Sequence, residues 1–193
     1  MKLEEFVLNE EEIRIYRNLL GQVSPKRIAE FGSGNTTRFW MEETSATIVS
    51  WDNNADWVQL VKIALAGHRH TSRVDVRLYD VYPKGNRDVL KDPVVYDGSA
   101  FDMTFIDGPR SARQASDGRS GSFAFSTCHT RPGGLIVWHD NDRRHEREMA
   151  VRFLGHCVLK WEGRIGWCRW WPKPQVSVML RLYRRMLNAR MLL

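Results

Sequence analysis

The chain's 193 residues suffice for one domain with its own core, and 42% hydrophobic with 27% charged residues is an ordinary globular balance. No run of about 18 apolar residues predicts a membrane-spanning helix. The net charge of +6 suits an anionic partner or a solvated basic surface; without zinc-finger spacing or an RNA-binding sheet signature, no nucleic-acid partner is expected.

The N-terminus turns acidic at once, where a secretory signal needs a basic start and then an apolar stretch, so cytoplasmic residence is the expectation. A helix is predicted over 10–21. Asn9 can cap it, Glu10 to Glu12 suit its first turn, and Ile13, Tyr16, Leu19 and Leu20 give an apolar stripe that Gly21 and Pro25 stop. Residues 27–31 read as a strand running into Gly32-Ser33-Gly34, followed by a helix over 37–43. A second strand, 47–51, ends on Asp52. The segment 55–66 has helical periodicity, closed by Gly67, and 74–79 is a third strand. The Pro- and Gly-punctuated stretch 80–100 reads mostly as loop.

A fourth strand, 101–106, ends on Asp107. A polar connection and a short helix precede a turn at Arg131-Pro132-Gly133-Gly134. The fifth strand, 135–138, is continuously apolar, as a buried parallel strand should be. A helix over 143–155 and an antiparallel hairpin of 157–161 with 165–171 complete the pattern. Cys128, Cys157 and Cys168 form no C-x-x-C pair, so structural thiols are expected rather than zinc or redox chemistry.

Strands alternating with helices predict an α/β, Rossmann-like, doubly wound, mostly parallel sheet with a C-terminal antiparallel hairpin. One domain spans 1–193, with its core over about 27–171. Ligands of such sheets bind at the carboxyl edge, where strand order reverses. Each suspicious side chain falls at a strand end.

Glu30, Gly32, Ser33, Gly34, Asn35 and Thr36 lie between a strand and a helix, the setting of a cofactor loop. The glycines permit a tight turn, and the helix start offers free N–H groups to a carboxylate. Asp52, 22 residues after Glu30, can accept both hydroxyls of a ribose. A dinucleotide fingerprint would carry glycine where Thr37 stands. S-adenosyl-L-methionine has no pyrophosphate, which relaxes that demand, and Glu30 offers an acid near its amino group. Asp80 can reach an adenine or be a solvated loop acid.

Asp107 and the cluster His139-Asp140-Asn141 end the fourth and fifth strands and can face one cleft. Asp107 is placed at both the cofactor and the reaction. The oxygens of Asp107, Asp140 and Asn141 suit Mg²⁺ or Mn²⁺. Without metal, His139 or Asp107 can act as general base. Asp140 or Asp142 can instead cap the following helix. Arg110, Arg113 and Arg119 can clamp an anionic substrate group or be solvated.

The residues Glu30-Phe31-Gly32-Ser33-Gly34 with Asp52 resemble the cofactor motifs of class I S-adenosylmethionine-dependent methyltransferases. The segments Asp107-Gly108-Pro109-Arg110 and His139-Asp140-Asn141-Asp142-Arg143, with Glu146 and Phe153-Leu154, resemble the glucuronoxylan 4-O-methyltransferase and related polysaccharide-biosynthesis family. That resemblance implies O-methylation of a carbohydrate hydroxyl, such as one on a uronic acid. The Asp107, Asp140 and Asn141 set also resembles the metal ligands of catechol-type O-methyltransferases. The N-terminal membrane anchor of the plant polysaccharide enzymes is not matched here, so a glycan, glycolipid or small-molecule acceptor is expected instead of polymeric xylan.

The basic segment 176–193 carries Arg181, Arg184 and Arg185 opposite an apolar stripe. It can contact an anionic membrane peripherally or pack on its own domain, including in a homodimer. Two other functions compete: a nicotinamide-dependent oxidoreductase, and a noncatalytic nucleotide- or membrane-binding module. Thr37 and the lack of an evident hydride-relay pair count against the oxidoreductase.

Overall fold

Apolar residues on both faces of the central strands decide the architecture. In a computed structural model of the chain, residues 8–79, 100–109 and 119–173 are described in full, and 81–83 and 88–90 by their backbone. The elements in chain order are α1 (Glu10–Val23), β1 (Arg27–Phe31), α2 (Asn35–Glu43), β2 (Thr47–Asp52), α3 (Ala55–Leu65), β3 (Val74–Leu78), β4 (Val81–Pro83) and β5 (Asp88–Leu90). Then follow β6 (Phe101–Ile106), α4 (Ser120–His129), β7 (Thr130–Trp138), α5 (Arg144–Leu154), β8 (Lys160–Glu162) and β9 (Ile165–Arg169).

Seven strands form one sheet in the order β3-β2-β1-β6-β7-β9-β8. The first five run parallel, while β9 pairs antiparallel with β7 and β8 with β9. The chain winds outward from β1 to β3, then crosses to β6 on the other side of β1. Strand order therefore reverses between β1 and β6, with Phe31 paired to Ile106 at the carboxyl edge.

Period-2 alternation sends successive side chains to opposite faces. On one face Ile28, Ile48, Met103, Phe105, Leu135 and Val137 meet Ile15, Tyr16 and Leu19 of α1, Trp40 of α2 and Val61 of α3. On the other, Ile106, Ile136 and Trp138 pack on Phe123 of α4 and on Met149 and Leu154 of α5. Ala29, Phe31, Trp51 and Phe101 close on Phe125 of α4. Both faces of the central strands are covered, as parallel strands require.

Three local expectations are revised. Helix α1 runs through Gly21 to Val23 and ends where Ser24, at φ +43°, donates its N–H to the Leu20 carbonyl at 2.8 Å. Arg131–Gly134 do not form a turn before the fifth strand. They bulge within β7, whose pairing jumps from Phe101↔Thr130 to Met103↔Leu135. Bonds from Gly133 N–H to the Trp170 carbonyl and from Trp170 N–H to the Gly134 carbonyl pin the bulge. Finally, the stretch read as loop contains the antiparallel pair β4–β5. The basic segment 176–193 lies outside the described residues, and no described helix is long and apolar enough to cross a membrane.

Gly166 of β9 lies beneath the Trp138 indole; a Cβ there would meet Cε2 at 2.2 Å. Gly166→Ala is expected to destabilise the fold by about 2–3 kcal/mol through overpacking. Gly21→Ala, in an open helical position, is expected to gain about 0.5–1 kcal/mol. Urea unfolding midpoints check both, and an unchanged midpoint for Gly166→Ala contradicts the packing.

Candidate functional site

The site starts from two backbones in contact. Gly32 follows β1 at φ +95°, and a Cβ on it would lie 2.9 Å from the Asp107 carbonyl carbon. Reciprocally, a Cβ on Gly108 would lie 2.7 Å from the Gly32 nitrogen. Only paired glycines let the turns after β1 and β6 touch. Hydrogen bonds continue the ladders past the strands: Gly32 N–H to the Trp51 carbonyl (2.8 Å), Asp107 N–H to Phe31 (2.7 Å) and His139 N–H to Ile106 (2.9 Å). Asp52, Asp107 and Asp140 thus end β2, β6 and β7 along one edge.

Glu30 does not open onto this edge. It is fully buried beneath the glycine loop and receives hydrogen bonds from Thr36, Thr37, Ser50 and the Trp40 indole, the last at 3.0 Å. Burial pushes its pKa up to about 7, although the four donors oppose that rise. Thr37 also accepts the Gly34 N–H at 2.8 Å. Its hydroxyl therefore bridges the loop to the buried acid, which gives threonine in place of a third glycine a structural reason. Glu30, expected near the cofactor's amino group, is thus placed beneath the loop and supports it from below.

The loop itself fits a nucleoside. Asp52 accepts from Ser33 N–H (3.1 Å) through one oxygen and from Asn54 N–H (3.0 Å) through the other. The Asn53 N–H also favours the charged form of this carboxylate, which stands at the end of β2 where a ribose could meet it. Burial raises the Asp52 pKa, with those N–H bonds acting against it. The Ser33 hydroxyl is buried and makes no aligned hydrogen bond among the described residues, though it lies near enough to Asp52 to favour its charged form. Trp57 walls the loop, donating its indole N–H to the Ser33 carbonyl at 2.6 Å. Asn35 and Thr36 open α2, half-buried and buried respectively. A Cβ-free glycine turn with a carboxylate beside it is what S-adenosylmethionine would require here.

Beside this cradle lies a charged cluster. Arg119, whose side chain is 3% exposed, donates from Nη2 to Asp107 Oδ1 (3.0 Å) and Asp140 Oδ2 (2.9 Å), and from Nη1 to the His139 carbonyl (3.0 Å). Its Nε lies 3.4 Å from buried Glu146. His139 Nε2 meets Glu12 of α1 at 2.9 Å. Its Nδ1 stands 3.4 Å from Asp107 and 3.3 Å from Asp140, which are ion-pair distances without aligned hydrogen bonds. Burial alone would lower the His139 pKa, but Asp107, Asp140 and Glu12 reverse that and push it up to about 10. The imidazole therefore carries its proton at neutral pH and has no lone pair to offer. Of the two groups expected as a base, His139 or Asp107, the latter keeps a side chain that is 34% exposed. The nearest contacts of Asp107 with Arg119 and His139 both fall on Oδ1.

Asp140, at φ +60°, is gripped by Arg119, Arg143 and Arg164. Burial disfavours its charge, but His139 and these guanidiniums hold its pKa well below the usual carboxylate range. It does not cap α5, whose N-cap Arg143 makes no side-chain capping bond. Asn141 Oδ1 is occupied by the Trp138 indole N–H at 2.9 Å. The oxygen set expected for Mg²⁺ or Mn²⁺ is thus incomplete. Asp107, His139 and Asp140 do bring one ligand atom each within 4.8 Å of one another, but the Arg119 guanidinium already stands between the carboxylates. The donors present do not fit a divalent cation.

Asp80, Arg110 and Arg113 lie outside the described residues. Arg119, expected to clamp substrate or to be solvated, is buried instead. Sequence reasoning missed Glu12 as a site residue. Its spacing from Asn9 signals a capping box, which the structure contains, but its second carboxylate oxygen serves His139.

No family model matches the chain, and neither does any curated protein. Solved structures do. A methyltransferase-like protein from Silicibacter pomeroyi superposes with a TM-score of 0.64 at 18% identity, covering 94% of this chain and 96% of its own. An O-methyltransferase from Bacillus cereus, solved in complex with SAH, gives 0.60 at 13% identity, over 85% and 83% of the two chains. The O-methyltransferase of tomaymycin synthesis from Streptomyces achromogenes, in complex with SAM, gives 0.57 at 14%, over 84% and 79%. The likeness is one of fold: seven strands, a parallel core and antiparallel C-terminal strands in the Rossmann-like arrangement of class I methyltransferases.

Glu30 makes a pH-dependent contribution with a definite sign. Between about pH 4.5 and 7 the native state holds a proton that the unfolded state has released, so stability falls as pH rises through that window. The full effect is about 3 kcal/mol. Glu30→Gln is expected to remove this slope relative to the parent in urea unfolding from pH 5 to 8; identical slopes contradict the buried-acid assignment.

Proposed function

We propose that the chain is an S-adenosylmethionine-dependent methyltransferase acting on an oxygen acceptor, a hydroxyl of a carbohydrate or small molecule. The observation that carries this reading is the backbone contact between Gly32 and Asp107-Gly108, which sets a half-exposed carboxylate against a nucleoside-shaped cradle. The fold shared with O-methyltransferases solved with SAM and SAH supports it. The resemblance of the Asp107–Arg110 and His139–Arg143 segments to polysaccharide-biosynthesis methyltransferases favours a glycan hydroxyl, with uronate-containing acceptors first among them.

When bound, S-adenosylmethionine supplies a methyl group on a sulfonium centre, whose departure leaves a neutral thioether. Asp52 would hold the ribose hydroxyls, and the first N–H groups of α2 would serve the carboxylate of the amino-acid end. The Asp107 carboxylate takes the acceptor's hydroxyl proton as the acceptor oxygen becomes bonded to carbon. Arg119, His139 and Asp140 fix Asp107 so that this carboxylate stays aimed at the acceptor, which is the positional part of catalysis. Arg110 and Arg113 follow Asp107 closely in sequence and are the candidates for holding an anionic group on the acceptor.

Transfer of labelled methyl to an acceptor panel tests the reading. Asp52→Ala is expected to raise KM for the donor about 10- to 100-fold with kcat nearly kept, the effect of losing one or two hydrogen bonds. Asp107→Ala is expected to lower kcat about 100-fold or more with donor KM nearly kept. Equal donor-KM losses in both variants contradict the division of roles.

A further inference from the structure

The carboxylates expected to share a hard cation share an arginine. Arg119 Nη2 stands between Asp107 Oδ1 and Asp140 Oδ2, at 3.0 and 2.9 Å, joining the ends of neighbouring strands β6 and β7. A divalent ion would bridge that same pair of oxygens. We infer that Arg119 is a built-in replacement for a divalent cation, holding Asp107 and Asp140 together so that the site is organised without metal.

Three features set Arg119 apart from an arginine that merely neutralises a nearby acid. It is held further by Nη1, which donates to the His139 carbonyl, and its Nε faces Glu146, 1% exposed, at an ion-pair distance of 3.4 Å without an aligned hydrogen bond. Arg143 and Arg164, which also pair with Asp140, are 42% and 46% exposed and can turn outward, whereas Arg119 has no such path. The third oxygen a metal would need, on Asn141, is bonded to Trp138, and both ring nitrogens of His139 face carboxylates. A guanidinium is planar, permanently charged and weakly hydrated, so it can remain in this dry position at every working pH. It cannot contact the acceptor from there, which makes Arg119 a positioning residue.

Removing one side of a buried charge set leaves the other side uncompensated. Two strand-end carboxylates without their guanidinium should therefore accept a metal. Mn²⁺ titration followed by electron paramagnetic resonance of the free ion tests this without any assay of activity, and so is independent of the methyl-transfer reading. The parent protein and Arg119→Lys, which keeps the charge, are expected to leave Mn²⁺ free. Arg119→Ala is expected to gain affinity by about tenfold or more, the scale on which ligand surroundings tune metal sites. Adding Asp140→Asn to Arg119→Ala should abolish that gain. If Arg119→Ala folds poorly, its thermal midpoint should rise with Mn²⁺ concentration, as for any ligand specific to the native state. Tight Mn²⁺ binding by the parent overturns the inference, as does an Arg119→Ala protein whose affinity and midpoint are both unmoved by Mn²⁺.

Discussion

The structure depends on the contact between two turns that carry no side chain. Gly32 and Gly108 approach so closely that a methyl group on either would overlap the other's backbone. This contact lies where the sheet reverses its order, the place at which open parallel sheets bind ligands. It has two consequences at once. The loop after β1 is folded into a cradle, and Asp107 is carried to its rim. The strand ends thus deliver the glycine loop and the Asp107 carboxylate side by side.

Around that contact the chain manages buried charge in two different ways. Glu30 is surrounded by neutral donors, so burial prevails and its proton is held up to about neutral pH. Asp140 is surrounded by three guanidiniums and an imidazolium, and there the cations prevail over burial. The first arrangement stiffens the loop without placing a net charge under it. The second keeps charges inside the fold, which is tolerable only when each is paired with good geometry. Arg119 supplies much of that geometry by hydrogen bonding to Asp107, Asp140 and the His139 carbonyl, while Glu146 is met only at an ion-pair distance of 3.4 Å.

Much of the fold was legible because its signals are local. Residues 135–138 are an apolar run and 27–31 and 101–106 are largely apolar segments of strand length, and Asp52, Asp107 and Asp140 stand out as the acids ending such segments. The carboxyl edge follows from parallel winding, so these acids could be placed on one edge before any coordinates. What was not legible is set by tertiary contacts. Glu12 and His139 are 127 positions apart, and nothing in a helix's first turn announces a distant imidazole. Arg119 sits in a polar connection with no periodicity, where burial leaves no trace in the sequence. Asn141 resembled a ligand because its type and spacing fit one, yet the indole three residues earlier takes its oxygen. Arg131–Gly134 carry turn chemistry and do bend the chain, but within a strand, since the ladder resumes on either side.

The claim on which the functional reading stands is that the Gly32–Asp52 cradle holds a sulfonium nucleoside and not a dinucleotide. Calorimetric titration of the unmodified protein with S-adenosylhomocysteine and, separately, with NAD tests it most directly. The account predicts saturable one-to-one binding of the homocysteine nucleoside and no comparable heat from NAD. Tighter binding of NAD, or silence with both ligands, would contradict it.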